Sequence, residues 1–213
     1  MPDGAARHLI EGGPMGASLK FGIPNVSFET GDHICGFYRG RAERDEILFP
    51  YLRAGLEAGD KCTCIVDETD PGVVVAGVNV TDSISSHQLE VQRSTDTYLL
   101  DGHFSTQRMI SFWETAVAEA MSNHGFHFAR SVGEMTWSLR DVPGVDELAG
   151  YESELNRFTP RYPQVILCLY DIDQFGGSIV VDMLKTHPRV LLGGMVLENP
   201  FYLSPDEFLA TRA

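Results

Sequence analysis

The sequence has no run of about twenty apolar residues and no apolar leader, so neither a membrane span nor a secreted chain is expected, and a cytosolic location follows. It is poor in positive charge. Lys and Arg number 16 against 30 Asp and Glu, a formal net charge of -14. A surface of that sign repels phosphate backbones and anionic lipids, so nucleic acid and membranes are not expected partners. Cysteine is scarce as well. Cys35, Cys62, Cys64 and Cys168 all lie in apolar, strand-like runs and show no C-x-x-C spacing, which excludes a secreted disulfide framework. Cys62 and Cys64 are two apart and share one face of a strand. The four read as reduced, buried thiols, with a redox or metal role beside a nearby histidine as the alternative.

The usual catalytic signatures are missing too. There is no G-x-S-x-G elbow, no H-E-x-x-H, no G-x-G-x-x-G after a strand and no G-x-x-x-x-G-K-[ST] phosphate loop. His124 and His127 are three apart, but Gly125 between them ends the helix that would align them. No catalytic residue, metal site or cofactor is therefore expected, and nothing compels an enzyme.

What is present is a globular pattern. The chain has 213 residues, 43% of them hydrophobic, enough for one α/β domain with a full core. Residues 1 to about 28 hold Gly12-Gly13-Pro14 and Gly16 with little periodicity, and read as a flexible arm before a single domain over 29–213. Strands are predicted at Ile34–Tyr38, Cys62–Val66, Leu89–Arg93, Phe126–Val132, Gln164–Tyr170, Arg189–Leu192 and Met195–Leu197. Helices are predicted at Ala42–Ala58, Pro71–Val75, Ser105–Asn123, Asp146–Phe158 and Ile179–Lys185. Pro50 should kink the first of these or delay its regular part. Ser204-Pro-Asp-Glu207 is a capping box that opens a last helix. Gln164–Tyr170 is a continuous apolar run of the kind buried parallel strands use. The alternation of strands and helices predicts a mostly parallel, doubly wound sheet flanked by helices.

Ligands of such sheets bind beyond the carboxyl ends of the strands. Polar residues collect there: Tyr38-Arg39, Asp67-Glu68, Gly133-Glu134 with Trp137, and Tyr170-Asp171. The loop after the first strand has the position of a phosphate loop, yet it offers one glycine, Gly40, with Arg39, Arg41 and Arg44 and no lysine. Glu134 either anchors a pocket beside Met135 and Trp137 or pairs with Arg130 or Arg140, Trp137 then being core. His187 sits at a helix end, where it satisfies terminal carbonyls or faces a pocket; His33 reads as a capping or hydrogen-bonding residue.

Several stretches together resemble the MEDS family, the methanogen/methylotroph sensory domain of dichloromethane-regulator-like proteins. They are His33-Ile-Cys-Gly-Phe-Tyr38, Gly55-Leu-Glu-Ala-Gly-Asp-Lys-Cys62, Arg130 through Gly133-Glu-Met-Thr-Trp137, and Tyr170-Asp171. Asp182-Met-Leu-Lys-Thr-His-Pro188 and Asn199-Pro-Phe-Tyr202 add to them, so that the resemblance covers roughly residues 30 to 205. It implies a RecA-like fold without a working phosphate loop, and a sensor of small hydrocarbon derivatives that signals to transcription or kinase modules. The stretch shows neither a helix-turn-helix nor a kinase module, so output through a separate protein, such as an anti-sigma or histidine-kinase system, is expected.

The leading expectation is thus a non-catalytic sensor binding a small, hydrocarbon-like ligand through Tyr38, Arg44, Glu68, Glu134, Trp137 and Asp171. Tyr38 and Trp137 would give apolar contact, Glu134 and Asp171 polar anchoring, and Arg44 a charge partner. A degenerate nucleotide binder using Arg39, Arg41 and Arg44 is the rival, since arginine can hold phosphate bidentately. A ligand-free interaction module is the third reading, and a homo-oligomer stays open.

Overall fold

The computed structural model describes residues 18–78 and 87–212. A short hairpin, β1 (Leu19–Lys20) and β2 (Ser27–Phe28), precedes β3 (His33–Tyr38) and α1 (Gly40–Ala58). Then follow β4 (Lys61–Val66), α2 (Pro71–Val78), β5 (Leu89–Arg93), α3 (Thr106–Ser122), β6 (Ala129–Glu134), α4 (Leu148–Phe158) and β7 (Gln164–Asp171). The chain continues through α5 (Gly177–Thr186), β8 (Arg189–Leu192), β9 (Met195–Glu198) and α6 (Pro205–Ala210).

Seven strands form one sheet in the order β5-β4-β6-β7-β3-β8-β9. All neighbours are parallel except β8 and β9, which make an antiparallel pair at one edge. The expected mostly parallel α/β sheet is thus present. Its central strands are buried on both faces, which is why they read as unbroken apolar runs. Along β7, Val165, Leu167 and Leu169 enter one core, while Ile166, Cys168 and Tyr170 enter the other. The first core is covered by α1, α2 and the hairpin through Ile47, Leu48, Tyr51, Leu52, Val74 and Phe28. The second is covered by α3, α4, α5 and α6 through Trp113, Tyr151, Leu155, Met183 and Phe208.

The arm expected over residues 1 to about 28 falls outside the described residues as far as residue 17. From Leu19 onward the chain is instead a packed hairpin. Phe21 and Phe28 are buried against Tyr51, with ring centroids 4.9 and 6.4 Å away. Arg130 locks the hairpin down. Its guanidinium lies 5.0 Å over the Phe28 ring, donates to the Lys20 carbonyl at 2.9 Å and pairs with Asp60 at 2.6 Å. Its side chain crosses where Gly55 leaves room, since a Cβ there would lie 2.7 Å from Arg130 Cδ.

Pro50 neither breaks nor delays α1, which starts at Gly40 and runs unbroken to Ala58. Gly59 ends it in a left-handed conformation, its N–H donating back to the last turn. The Ser204–Glu207 capping box opens α6 as expected.

Candidate functional site

The geometry of the site follows from strand order. β3 and β7 are neighbours, but the helices after them leave to opposite faces, α1 to one core and α5 to the other. Such a divergence opens a crevice beyond the strand carboxyl ends. Tyr38 ends β3 and Asp171 ends β7, directly across from it in register. Glu134 ends β6 on the far side of β7, and Glu68 follows β4. Together with Arg41, Arg44, Thr69, Thr136 and Gln174 they line a cavity of about 170 Å³.

Five of the six residues expected from the sequence therefore meet there: Tyr38, Arg44, Glu68, Glu134 and Asp171. Trp137 does not line the cavity. It is buried between the rings of Tyr98 and Phe104, with centroids 4.8 and 4.7 Å away. Glu134 ends the strand, whereas Trp137 lies in the single turn of helix that follows and joins the core under α3 and α4. The wall it was expected to supply comes instead from Thr69 and Thr136. Those residues are unremarkable in sequence, because a lone threonine after a strand carries no signal.

Buried charge is arranged tightly in this crevice. The Arg44 guanidinium donates to Glu134 Oε1 and Thr69 Oγ1, and its Nε donates to Asp45 at 2.9 Å. Glu134 Oε2 accepts the Asp67 backbone N–H at 2.8 Å, which ties the end of β6 to that of β4. Neither Arg130 nor Arg140 is its partner, contrary to the structural alternative read from sequence. Arg130 holds Asp60, and Arg140 donates to Asp67 at 2.6 Å. Burial raises the Glu134 carboxyl above its ordinary range, more than Arg44 and the Asp67 amide lower it. Burial, reinforced by Glu134 and Asp171, likewise pushes the Tyr38 hydroxyl well up, so it stays a neutral donor.

The loop between β3 and α1 is filled from within. In a phosphate loop the free backbone amides face the anion. Here the Gly40 N–H donates to Asp171 Oδ1 at 3.3 Å and the Arg39 N–H donates to Glu43 Oε2 at 2.8 Å. Two carboxylates thus occupy the amides a phosphate would need. Asp171 also accepts from the Asp173 N–H and the Gln174 side chain, so it closes the loop after β7 as well.

A larger groove of about 590 Å³ runs along β5 and α3. Its lining runs from Lys61 and Leu89 to Gln92 and Arg108, so it follows the length of the edge strand rather than collecting the strand carboxyl ends. Ligands of open parallel sheets gather at those carboxyl ends.

A second polar constellation escaped the sequence reading. His33, Glu152, Cys168 and His187 are all buried on the core side of α4, from segments far apart in the chain. His33 is pushed down to about 4 by burial and by the neighbouring His187, so its ring is neutral at physiological pH. Cys35, Cys62, Cys64 and Cys168 are free and buried.

The fold defines the class: a mostly parallel α/β domain with a small polar crevice beyond its strand ends. The chain belongs to the MEDS family, the methanogen/methylotroph, DcmR sensory domain, whose model matches residues 32–188. It is 31% identical over 182 residues to the transcriptional repressor DcmR of Methylorubrum extorquens, a match covering 80% of this chain and 63% of the repressor. The chain thus spans less than two thirds of that relative. No helix among the described residues is long and apolar enough to cross a membrane.

Proposed function

We propose that this chain is the ligand-sensing part of a transcription-regulating system, and that its ligand enters the crevice formed by Tyr38, Arg44, Glu68, Glu134 and Asp171. The convergence on one cavity of Tyr38, Glu68, Glu134 and Asp171 from four strand ends, with Arg44 from α1, supports this most strongly. The family supplies the sensory role, and the likeness to a repressor supplies the transcriptional output. The lining narrows the ligand. A cavity of about 170 Å³ walled by Arg, Glu, Asp, Tyr and Thr suits a compact molecule with at least one polar group rather than a bare hydrocarbon. Nucleotide is disfavoured because the amides of Arg39 and Gly40 are already engaged by Glu43 and Asp171. With a net charge of -14 this stretch is ill suited to touching DNA directly, so it acts on transcription through another domain or a protein partner. Signalling then requires a ligand that binds two conformations of the crevice unequally.

A thermal-shift screen tests the reading. The panel holds one- and two-carbon carboxylates, alcohols and halogenated compounds, with ATP and magnesium as the rival. A ligand at a hundred times its dissociation constant adds about 2.7 kcal/mol of stability. We expect at least one small polar compound to raise the melting temperature, and Tyr38→Phe to abolish that shift. Stabilisation by ATP and magnesium that disappears in Arg41→Ala would overturn the proposal in favour of the nucleotide rival.

A further inference from the structure

On the opposite face from the hairpin, four segments bring one donor atom each to a common point. His33 opens β3, Glu152 lies on α4, Cys168 sits within β7 and His187 follows α5. His33, Glu152, Cys168 and His187 each offer one ligand atom, and these four atoms lie within 4.8 Å of one another. Glu152 Oε2 is 3.2 Å from His33 Nε2 and 3.3 Å from His187 Nε2, and Cys168 Sγ is 3.5 Å from His33 Nε2. A tetrahedral ion with bonds of about 2.0–2.3 Å sets its ligand atoms about 3.3–3.7 Å apart.

The outer atoms of these side chains decide what the inner ones can do. His187 Nδ1 lies 2.9 Å from the Met183 carbonyl, which can only accept, so Nδ1 carries the proton. His33 Nδ1 lies 3.1 Å from Asn156 Oδ1. The amide of Asn156 is oriented by its Nδ2, which donates to the carbonyls of Glu152, Ser153 and Thr186, so its oxygen accepts from His33. Each ring thus meets an outer acceptor through Nδ1 and turns its Nε2 inward. Tyr170 donates to Glu152 Oε1, leaving Oε2 to face those Nε2 atoms. Glu152 Oε2 and the two Nε2 atoms crowd together at 3.2 and 3.3 Å, a grouping that needs a proton or a metal cation between its members. Consistently, Glu152 Oε2 and His187 Nε2 have no hydrogen-bond partner among the described residues, although both are fully buried.

We propose that His33, Glu152, Cys168 and His187 bind one zinc ion in a closed four-ligand site. The mixed nitrogen, oxygen and sulfur set is the borderline-soft environment zinc takes, and no position is left open for water. Charge balances as well. On binding, the Cys168 thiol releases its proton to solvent, and thiolate plus carboxylate neutralise the dication in a site without solvent. Asn156, Tyr170 and the Met183 carbonyl act as the outer shell that orients the ligands. The ion would join β3, β7, α4 and the end of α5, and this role is independent of the crevice at the strand ends.

The test is elemental analysis of the full chain purified without chelator, followed by zinc-edge X-ray absorption. We expect about one zinc per chain, with one sulfur and three nitrogen or oxygen neighbours. Cobalt(II) substitution should give a thiolate-to-metal charge-transfer band that persists in Cys35→Ser and is lost in Cys168→Ser. Asn156→Ala should weaken zinc affinity about 10–100-fold while leaving all four ligands in place. The X-ray and cobalt readouts on the unaltered chain need no variant to fold. Folded protein without stoichiometric metal and without a cobalt band would overturn the site, leaving a proton shared between Glu152 and the histidines. So would a sulfur-free coordination shell, or a cobalt band that survives Cys168→Ser.

Discussion

Glu134 and Trp137 stand three residues apart and end in different parts of the molecule. The backbone turns at Met135, so the carboxylate stays at the strand end with Arg44 while the indole drops into the core between Tyr98 and Phe104. The sequence marks both as unusual, but the direction of a side chain after a strand depends on the turn, and nothing local to Gly133-Glu-Met-Thr-Trp137 dictates it. The two readings differ in a measurable way. Replacing a buried tryptophan by alanine removes about 3–5 kcal/mol in typical cores. Trp137→Phe should therefore cost about 1–3 kcal/mol in urea unfolding and leave unchanged the melting shift produced by a crevice ligand. A normal stability with a lost shift would instead return Trp137 to the crevice wall. The His33–Glu152–Cys168–His187 cluster is invisible at this scale for another reason: its members are spread from residue 33 to residue 187, and only the fold makes them neighbours.

Among the elements, the large strands and helices were legible because each carries a strong local signal. β7 is an uninterrupted apolar run, α6 begins at a capping box and α1 stops at Gly59. The β1–β2 hairpin was not. Its strands are two residues long, and between them Gly22 and Asn25 take left-handed backbone angles, so the segment reads as loop. Its stability comes instead from tertiary contacts of Phe21 and Phe28 with Tyr51 and Arg130. Glycine substitutions separate local from tertiary demand. At Gly22, φ is +113° and an added Cβ would lie 2.1 Å from the Pro50 carbonyl oxygen. Gly22→Ala should thus lift the hairpin off α1 and cost roughly 2 kcal/mol or more. Gly150 lies in α4 with nothing within 4 Å of such a Cβ. There the same change should stabilise by up to about 1 kcal/mol, through helix propensity. Urea unfolding of the two variants checks both signs, and a harmless Gly22→Ala would contradict the packed hairpin.

For the whole molecule, sheet order turns scattered polar residues into a site. The sequence showed that several strands end in acids, but not that β3 and β7 would be neighbours with helices departing to opposite faces. That divergence places Tyr38 opposite Asp171 and leaves room for Arg44 to reach Glu134. The same order explains why the loop after β3, which resembles a phosphate loop in position, serves another end. Asp171 reaches across from β7 and takes the Gly40 amide for itself.

The central claim, that this crevice is where a small ligand is sensed, is tested most directly by amide chemical-shift mapping. The isotope-labelled chain would be titrated with the compound that gives the largest melting shift. The account predicts that the perturbed amides centre on Tyr38, Thr69, Thr136 and Gln174. Perturbations centred instead on the groove between β5 and α3, around Leu89 and Phe112, would contradict it.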